Sequence, residues 1–363
     1  MSYKWAESFD LGMLSEEEKE ELRSDFTYKK TMNDLMREGR AAAKGSTCYY
    51  CGKESSSFCN SHSIPAFCLR NIAASGQVLT PNAMIDFPLM DIEKGVNKAG
   101  TFQIICRDCD SHIFSDYENP ANYTNPPTST MIAQIALKNA LRAISKRKFE
   151  TELFNVGYAK SGRGKEIVDL KNSVNALDLA EYVAYFNRAK KAIEKNHSSD
   201  YQLFFYEQLN YVVPIAFQCE LALVFDFEGN IINYIYNASP DYKVKSIHLC
   251  VFPLESHTAI IMFADAENKR YRKFIKQFNR LTHDDKLAAL TFIMFAYSED
   301  IFFAKQIQQI VTNNPALCEA SRSSQDVLSS YLGVDPYEVI RENYNLSKRH
   351  SIPNLLSEEY KLR

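Results

Sequence analysis

The chain has 363 residues, enough for two or three domains with a proper core, and 45% hydrophobic and 24% charged residues exclude a fibrous or disordered protein. The formal net charge of −3 excludes a broadly cationic surface. The N-terminal stretch lacks a signal peptide's apolar core, and the longest apolar runs, such as 287–297, fall short of the ~18 residues of a membrane span. A cytoplasmic protein with no membrane partner is therefore expected.

Ser15-Glu16-Glu17-Glu18 matches a capping box, so residues 1–43 read as an N-terminal helical segment. Residues 44–119 are cysteine-rich, with short apolar runs, turn residues and a helix starting near Cys109. The segment 119–130, with Pro120, Pro126 and Pro127, reads as a boundary, and its Thr128 to Thr130 can cap the next helix. Helical spacing of Met131, Ile135, Leu141 and Ile144 predicts a helix over 130–149, then a basic loop over 157–164. A second helix is expected across 174–195, burying Leu177, Tyr182, Val183 and Phe186. The period then changes to two. Residues 219–227 and 231–236 read as a hairpin about Glu228-Gly229-Asn230, and 246–252 with 257–264 as a second. Antiparallel strands over about 211–264 followed by C-terminal helices give an α+β fold, with 130–363 as a domain of unassigned role.

Nine cysteines in a reducing compartment, an odd number, do not suggest a disulfide framework. Cys48-Tyr49-Tyr50-Cys51-Gly52 and Cys106-Arg107-Asp108-Cys109 are two CxxC turns, and four thiolates from such turns make the tetrahedral site of a structural Zn²⁺. The intervening segment is loop-rich, so metal binding would largely be folding energy. A split arrangement is the alternative: Cys48, Cys51, Cys59 and His62 around one ion, with Cys106, Cys109, His112 and Cys68 around another. Cys219, Cys250 and Cys318 read as core residues.

Ser61-His62-Ser63-Ile64-Pro65, then Thr101 to Cys106, Cys109-Asp110 and Tyr117-Glu118 resemble elements of the HNH (ββα-metal) endonucleases. The closest likeness is to a bacterial subgroup with an SH-x-IP pattern. The resemblance covers about a fifth of the chain. It implies a zinc-stabilised ββα module in which His62 is the general base for phosphodiester hydrolysis and Asp110 a ligand of a catalytic Mg²⁺ or Mn²⁺, with His112 or Glu118 as a second ligand. Ser61 and Thr101 stand where the family commonly has a carboxylate and an asparagine.

Two functions follow from this reading. The first is an HNH-like endonuclease acting on DNA or RNA, a kind of family compatible with anti-phage or mobile-element biology. The second is a catalytically inactive zinc-stabilised scaffold that binds nucleic acid or protein, which Ser61 and Thr101 favour. Residues 1–125 carry 13 Lys and Arg against 18 Asp and Glu, a balance of 13 − 18 = −5, so a nuclease would need a protein partner or trigger. The one basic concentration read from the sequence is 138–165, where Lys138, Arg142 and Lys146 form a stripe that can meet phosphates or simply be solvated. No Walker loop, nucleophile elbow or dinucleotide fingerprint is present.

Overall fold

The computed structural model describes residues 16–55, 57–81, 91–162, 164–195, 200–237, 239–323 and 335–363. The expected cap at Ser15 lies outside the described residues, but the helices after it are present as α1 (Glu16–Ser24) and α2 (Phe26–Ala43). Asp25 caps α2 by accepting from the Tyr28 N–H at 3.0 Å. The cysteine-rich segment holds β1 (Ser61–His62), α3 (Ala66–Ile72), β2 (Gln77–Leu79), β3 (Glu93–Gly95), β4 (Thr101–Phe102) and α4 (Arg107–Ile113).

Thr128 caps the next helix, α5 (Ser129–Ser161), its Oγ1 accepting from the Met131 N–H at 3.2 Å. The loop expected from Gly157 is helical instead, because Gly157 is buried inside α5. The chain breaks only at Gly162, where φ of 66° ends the helix in the left-handed region. α6 (Lys165–Lys195) starts well before 174. Asn172 donates to Asn155 at 2.8 Å and Asn175 to Thr151 at 3.3 Å, so polar side chains join the two long helices where sequence periodicity is weakest. Gly39 lets α2 lie close against α5, since a Cβ there would meet the Leu153 Cα at 3.1 Å.

The remaining elements are β5 (Tyr201–Leu209), β6 (Ile215–Leu221), β7 (Ile247–Pro253), β8 (Thr258–Asp265), α7 (Arg272–Asn279), α8 (His283–Tyr297), β9 (Ile301–Phe303), α9 (Gln308–Thr312), α10 (Pro315–Ser323) and α11 (Pro336–Ile340). Among the described residues, seven strands form one antiparallel sheet in the order β3-β2-β9-β6-β7-β8-β5. The fold is therefore mixed helix and antiparallel sheet, α+β as the strand pattern predicts.

The second expected hairpin is β7–β8, closing at Pro253 opposite Thr258. The first is reduced to a short turn without paired strands. β6 ends at Leu221 and pairs with β7 and β9, while 225 and 231 share only an isolated bridge. Backbone hydrogen bonds close a short turn there, from the Asp226 N–H to the Asn230 carbonyl at 2.9 Å and from the Ile232 N–H to the Val224 carbonyl at 2.7 Å, and side chains add to it. Asp226 accepts from the N–H groups of Glu228 and Asn230, and Asn233 Nδ2 donates to the carbonyls of Leu223 and Lys245. β5, β9, β2 and β3 all lie outside the 211–264 window expected for strands.

β7 is central and buried on both faces. Ile247, Leu249 and Val251 join the core formed with α7 and α8. Cys250 and Phe252 join the one formed with α5 and the cysteine-rich segment. Residues 287–296 of α8 are buried all round, between the sheet and the C-terminal helices. The sheet and the second core both cross the boundary expected at 119–130. Leu79 pairs with Phe303, and Ile64, Phe102 and Tyr117 share a core with Ile135, Phe252 and Phe302. The cysteine-rich segment has too few apolar residues to close a core alone and borrows α5 and the sheet. Gly100 marks one seam of that join. Its φ is 64°, and a Cβ would meet Ser63 Oγ at 2.6 Å and the Phe302 ring at 3.2 Å.

Candidate metal centre and a buried lysine

Each CxxC is a local backbone device. Gly52, at φ 71°, donates its N–H to the Cys48 carbonyl at 2.8 Å and so folds the first turn back on itself. Cys106 is the N-cap residue of α4, which puts Cys109 in its first turn. The turns are stitched together by the Tyr49 N–H to the Ile104 carbonyl at 2.9 Å and the Cys106 N–H to Cys48 Sγ at 3.3 Å. Tyr49 packs edge-on to Phe186 of α6 with centroids 5.0 Å apart, and Lys190 donates to the Tyr50 carbonyl at 2.7 Å.

The Sγ atoms of Cys48, Cys51, Cys106 and Cys109 all lie within 4.8 Å of one another. A tetrahedral ion bonded at ~2.3 Å needs sulfurs about 3.8 Å apart, so the donor set can hold a metal such as zinc. The electrostatics agree. Burial opposes ionisation of Cys48, but N–H groups of Cys51, Cys106 and Tyr50 bring its thiol down to about 7. Burial, then the neighbouring thiols of Cys106 and Cys51, push Cys109 far up. Four crowded sulfurs cannot all ionise without a cation among them.

The split arrangement does not assemble among the described residues. The Cys59 thiol donates to the Ile105 carbonyl at 3.4 Å, Cys68 is fully buried in the core, and neither joins the four-sulfur cluster. Burial, then the charge of Asp110, push the Cys59 thiol up to about 12.

Beside the cysteines lies a second constellation. Ser61 on β1, Asp110 on α4 and Glu118 converge on Lys138 of α5. Its ammonium is 2.8 Å from Ser61 Oγ, 3.0 Å from Asp110 Oδ1, 3.0 Å from Glu118 Oε1 and 3.6 Å from the centre of the Phe114 ring. Ser61 Oγ also donates to Asp110 Oδ1 at 2.6 Å. Lys138 is 0% exposed. Two carboxylates, a hydroxyl and an aromatic face together replace the water that the ammonium loses.

Lys138 is thus an internal cation and does not face solvent, a correction to its expected place in a phosphate-binding stripe. The rest of that stripe is also paired within the fold, Arg142 with Asp300 at 2.8 Å and Lys146 with Glu299 at 2.8 Å, and the neighbouring Arg147 pairs with Asp178 at 2.9 Å. Glu299 and Asp300 follow α8, far along the sequence, and Asp178 lies in α6. The clue available in the sequence is the lysine's own setting, IAQIALKNALRAI, where apolar residues precede and follow it closely.

His62 follows Ser61 on β1, and the pleat sends the two side chains apart. Ser61 is buried toward Lys138, whereas His62 is half-buried with Nε2 3.0 Å from the Val96 carbonyl. His62 and Asp110 therefore share no hydrogen bond among the described residues, while Lys138 draws Asp110 and Glu118 together. Thr101 donates to the Lys98 carbonyl at 3.2 Å, and His112 is exposed on α4.

A third polar concentration went unread in the sequence. Glu220, opposite His248 in the β6–β7 register, lines a small cleft with Tyr185, Arg188, Tyr201 and Asp265. Its Oε2 is buried without a hydrogen-bond partner, and burial pushes the carboxyl up to about 8. His248 stacks on Phe263 with centroids 4.4 Å apart, and burial lowers it to about 3.

Among the described residues no helix is long and apolar enough to cross a membrane. No family model, no curated protein and no solved structure matches this chain.

Proposed function

We propose that this chain is a zinc-clamped binding scaffold in which Lys138 holds the position that the nuclease resemblance assigns to a catalytic ion. The four thiolates of Cys48, Cys51, Cys106 and Cys109 hold one structural Zn²⁺ and fix the loop-rich segment against α6. The observation that carries the reading is the Lys138 ammonium, 3.0 Å from both Asp110 and Glu118. A divalent ion bound by these carboxylates would have to displace a fully buried ammonium or sit against it. With that position filled and His62 turned to the Val96 carbonyl, the segment serves as a fixed surface for assembly.

A second reading rests on one observation. β1 and β4 pair antiparallel, Ser61 with Phe102 and His62 with Thr101, and the chain then enters α4 carrying Asp110, the order of elements in an HNH-like endonuclease. Incubating the zinc-loaded full chain with supercoiled plasmid and with RNA, in Mg²⁺ and in Mn²⁺, separates the two. The scaffold reading expects no nicking or RNA cleavage. Cleavage that is lost in His62→Ala would overturn it and establish the nuclease.

A further inference from the structure

The segment Lys269 to Arg280 holds six basic residues and no acidic one, and α7 lies within it. Its apolar side is closed: Phe274 and Phe278 are fully buried, and Phe274 stacks on Phe227 with centroids 5.3 Å apart. The other side is solvent-exposed at Lys269, Arg270, Arg272, Lys273, Lys276 and Arg280. Lys273 is held by Glu228 at 2.6 Å. Lys269, Arg272, Lys276 and Arg280 have no ion-pair partner among the described residues.

A solvated helix face accounts for polar residues here, but not for this choice of them. Arg272, Lys276 and Arg280 recur every four residues, a row of like charges that destabilises the helix, where mixed signs would stabilise it. Arg272 and Lys273 also open the helix, against its dipole, and no acid stands in the first turn. Lys138, Arg142 and Lys146 of α5 are paired with acids from elsewhere in the chain; the cations of α7 are mostly left to solvent at a cost in stability. An external anion removes that cost.

The basic face continues into tyrosines. Arg270 lies over the Tyr242 ring at 4.6 Å and donates to its hydroxyl at 2.9 Å. Tyr234 packs edge-on to Tyr242 and Tyr337, with centroids 6.3 and 5.4 Å away, and remains 49% exposed. Cations for a phosphate backbone beside an exposed aromatic ring suit unstacked bases, which offer both charge and a π-face. A duplex hides its base faces, and an acidic peptide has none.

We infer that the exposed face of α7, with Tyr234, binds single-stranded nucleic acid without sequence preference. This surface packs on the α8 side of the sheet, opposite the cysteine cluster, so the inference stands apart from the scaffold reading.

The test is fluorescence anisotropy of the full chain with labelled oligo-dT and oligo-U of about 20 nucleotides, a duplex of equal length, and a poly-glutamate peptide. Single strands should bind, with log Kd rising with log salt at a slope of about 3 for four phosphates met. The triple variant R272E/K276E/R280E should weaken binding at least 10-fold with unchanged circular dichroism. Tyr234→Ala should weaken single-strand binding by about 5-fold or more, the effect of losing one stacked base. No binding at about 50 mM salt, or binding indifferent to the triple reversal, overturns the inference. Preference for the duplex or for poly-glutamate over single strands overturns the assignment of the partner.

Discussion

The four-cysteine cluster and the Lys138 cluster meet at adjacent residues, Cys109 and Asp110 of α4, yet they are assembled in opposite ways. The cysteines come from two short turns whose geometry is set by their own backbone, with Gly52 folding one and the start of α4 presenting the other. The Lys138 cluster has no local logic. It joins β1, α4, Glu118 and the first third of a 33-residue helix, and only the finished core brings them together. A site written into local motifs can be read from spacing, whereas a site made by packing cannot.

On the reading proposed above, removing the metal should have the largest effect, because the first cluster would depend on it for folding. Chelation, or Cys109→Ser, should unfold the segment from Cys48 to Glu118, seen as loss of amide-exchange protection there while β7 and α8 stay protected. Loss of protection throughout the chain would show that the shared core, not the clamp, depends on the metal. Next in size is Lys138→Met, which leaves Asp110 and Glu118 facing each other without a cation and should cost about 3 kcal/mol in chemical denaturation. That is the low end for a broken buried pair, because Glu118 is a third exposed. Adding Asp110→Asn and Glu118→Gln should recover much of the loss. Failure to recover would mean that Lys138 acts through packing on Phe114 and not through charge.

Glu220 sharpens the contrast as a buried carboxyl with no cation of its own. Its folded pKa is raised from 4.5 to about 8, so its contribution to stability is full below 4.5 and is lost as pH rises through 8. Glu220→Gln should match wild type at low pH and exceed it in urea midpoint at about pH 9. Equal midpoints at both pH values would mean that the cleft already ionises Glu220 freely. The smallest effect is expected two turns along the stripe from Lys138. Lys146 pairs with Glu299, but both are a third or more exposed, and Lys146→Gln should cost less than about 1 kcal/mol.

The same division explains what the sequence disclosed of the fold. The β7–β8 hairpin, the Thr128 cap and the paired CxxC turns are local features and were legible. The hairpin expected at 219–236 is reduced to a short turn, where Asp226 and Asn233 supply hydrogen bonds that periodicity does not count. The continuity of core across 119–130 could not be read either, since Pro126 and Pro127 mark a turn whether or not two domains meet there. At the site, spacing named the four cysteines correctly as a cluster. It also placed Lys138 on the surface, because a stripe at every fourth residue looks alike whether acids from beyond α8 approach it or water does. The basic face of α7 was passed over for the converse reason: its cations alternate with core aromatics, and only burial separates the two sets.

In the proposed scaffold the Lys138 ammonium stands in for a divalent ion between Asp110 and Glu118. Titrating Mn²⁺ into zinc-loaded protein, with the free-ion signal followed by electron paramagnetic resonance, tests it directly. Wild type should leave the Mn²⁺ signal undiminished at stoichiometric protein, and Lys138→Met should bind one ion through the carboxylates it exposes. Binding of one Mn²⁺ by wild type, abolished in Asp110→Asn, would contradict the claim.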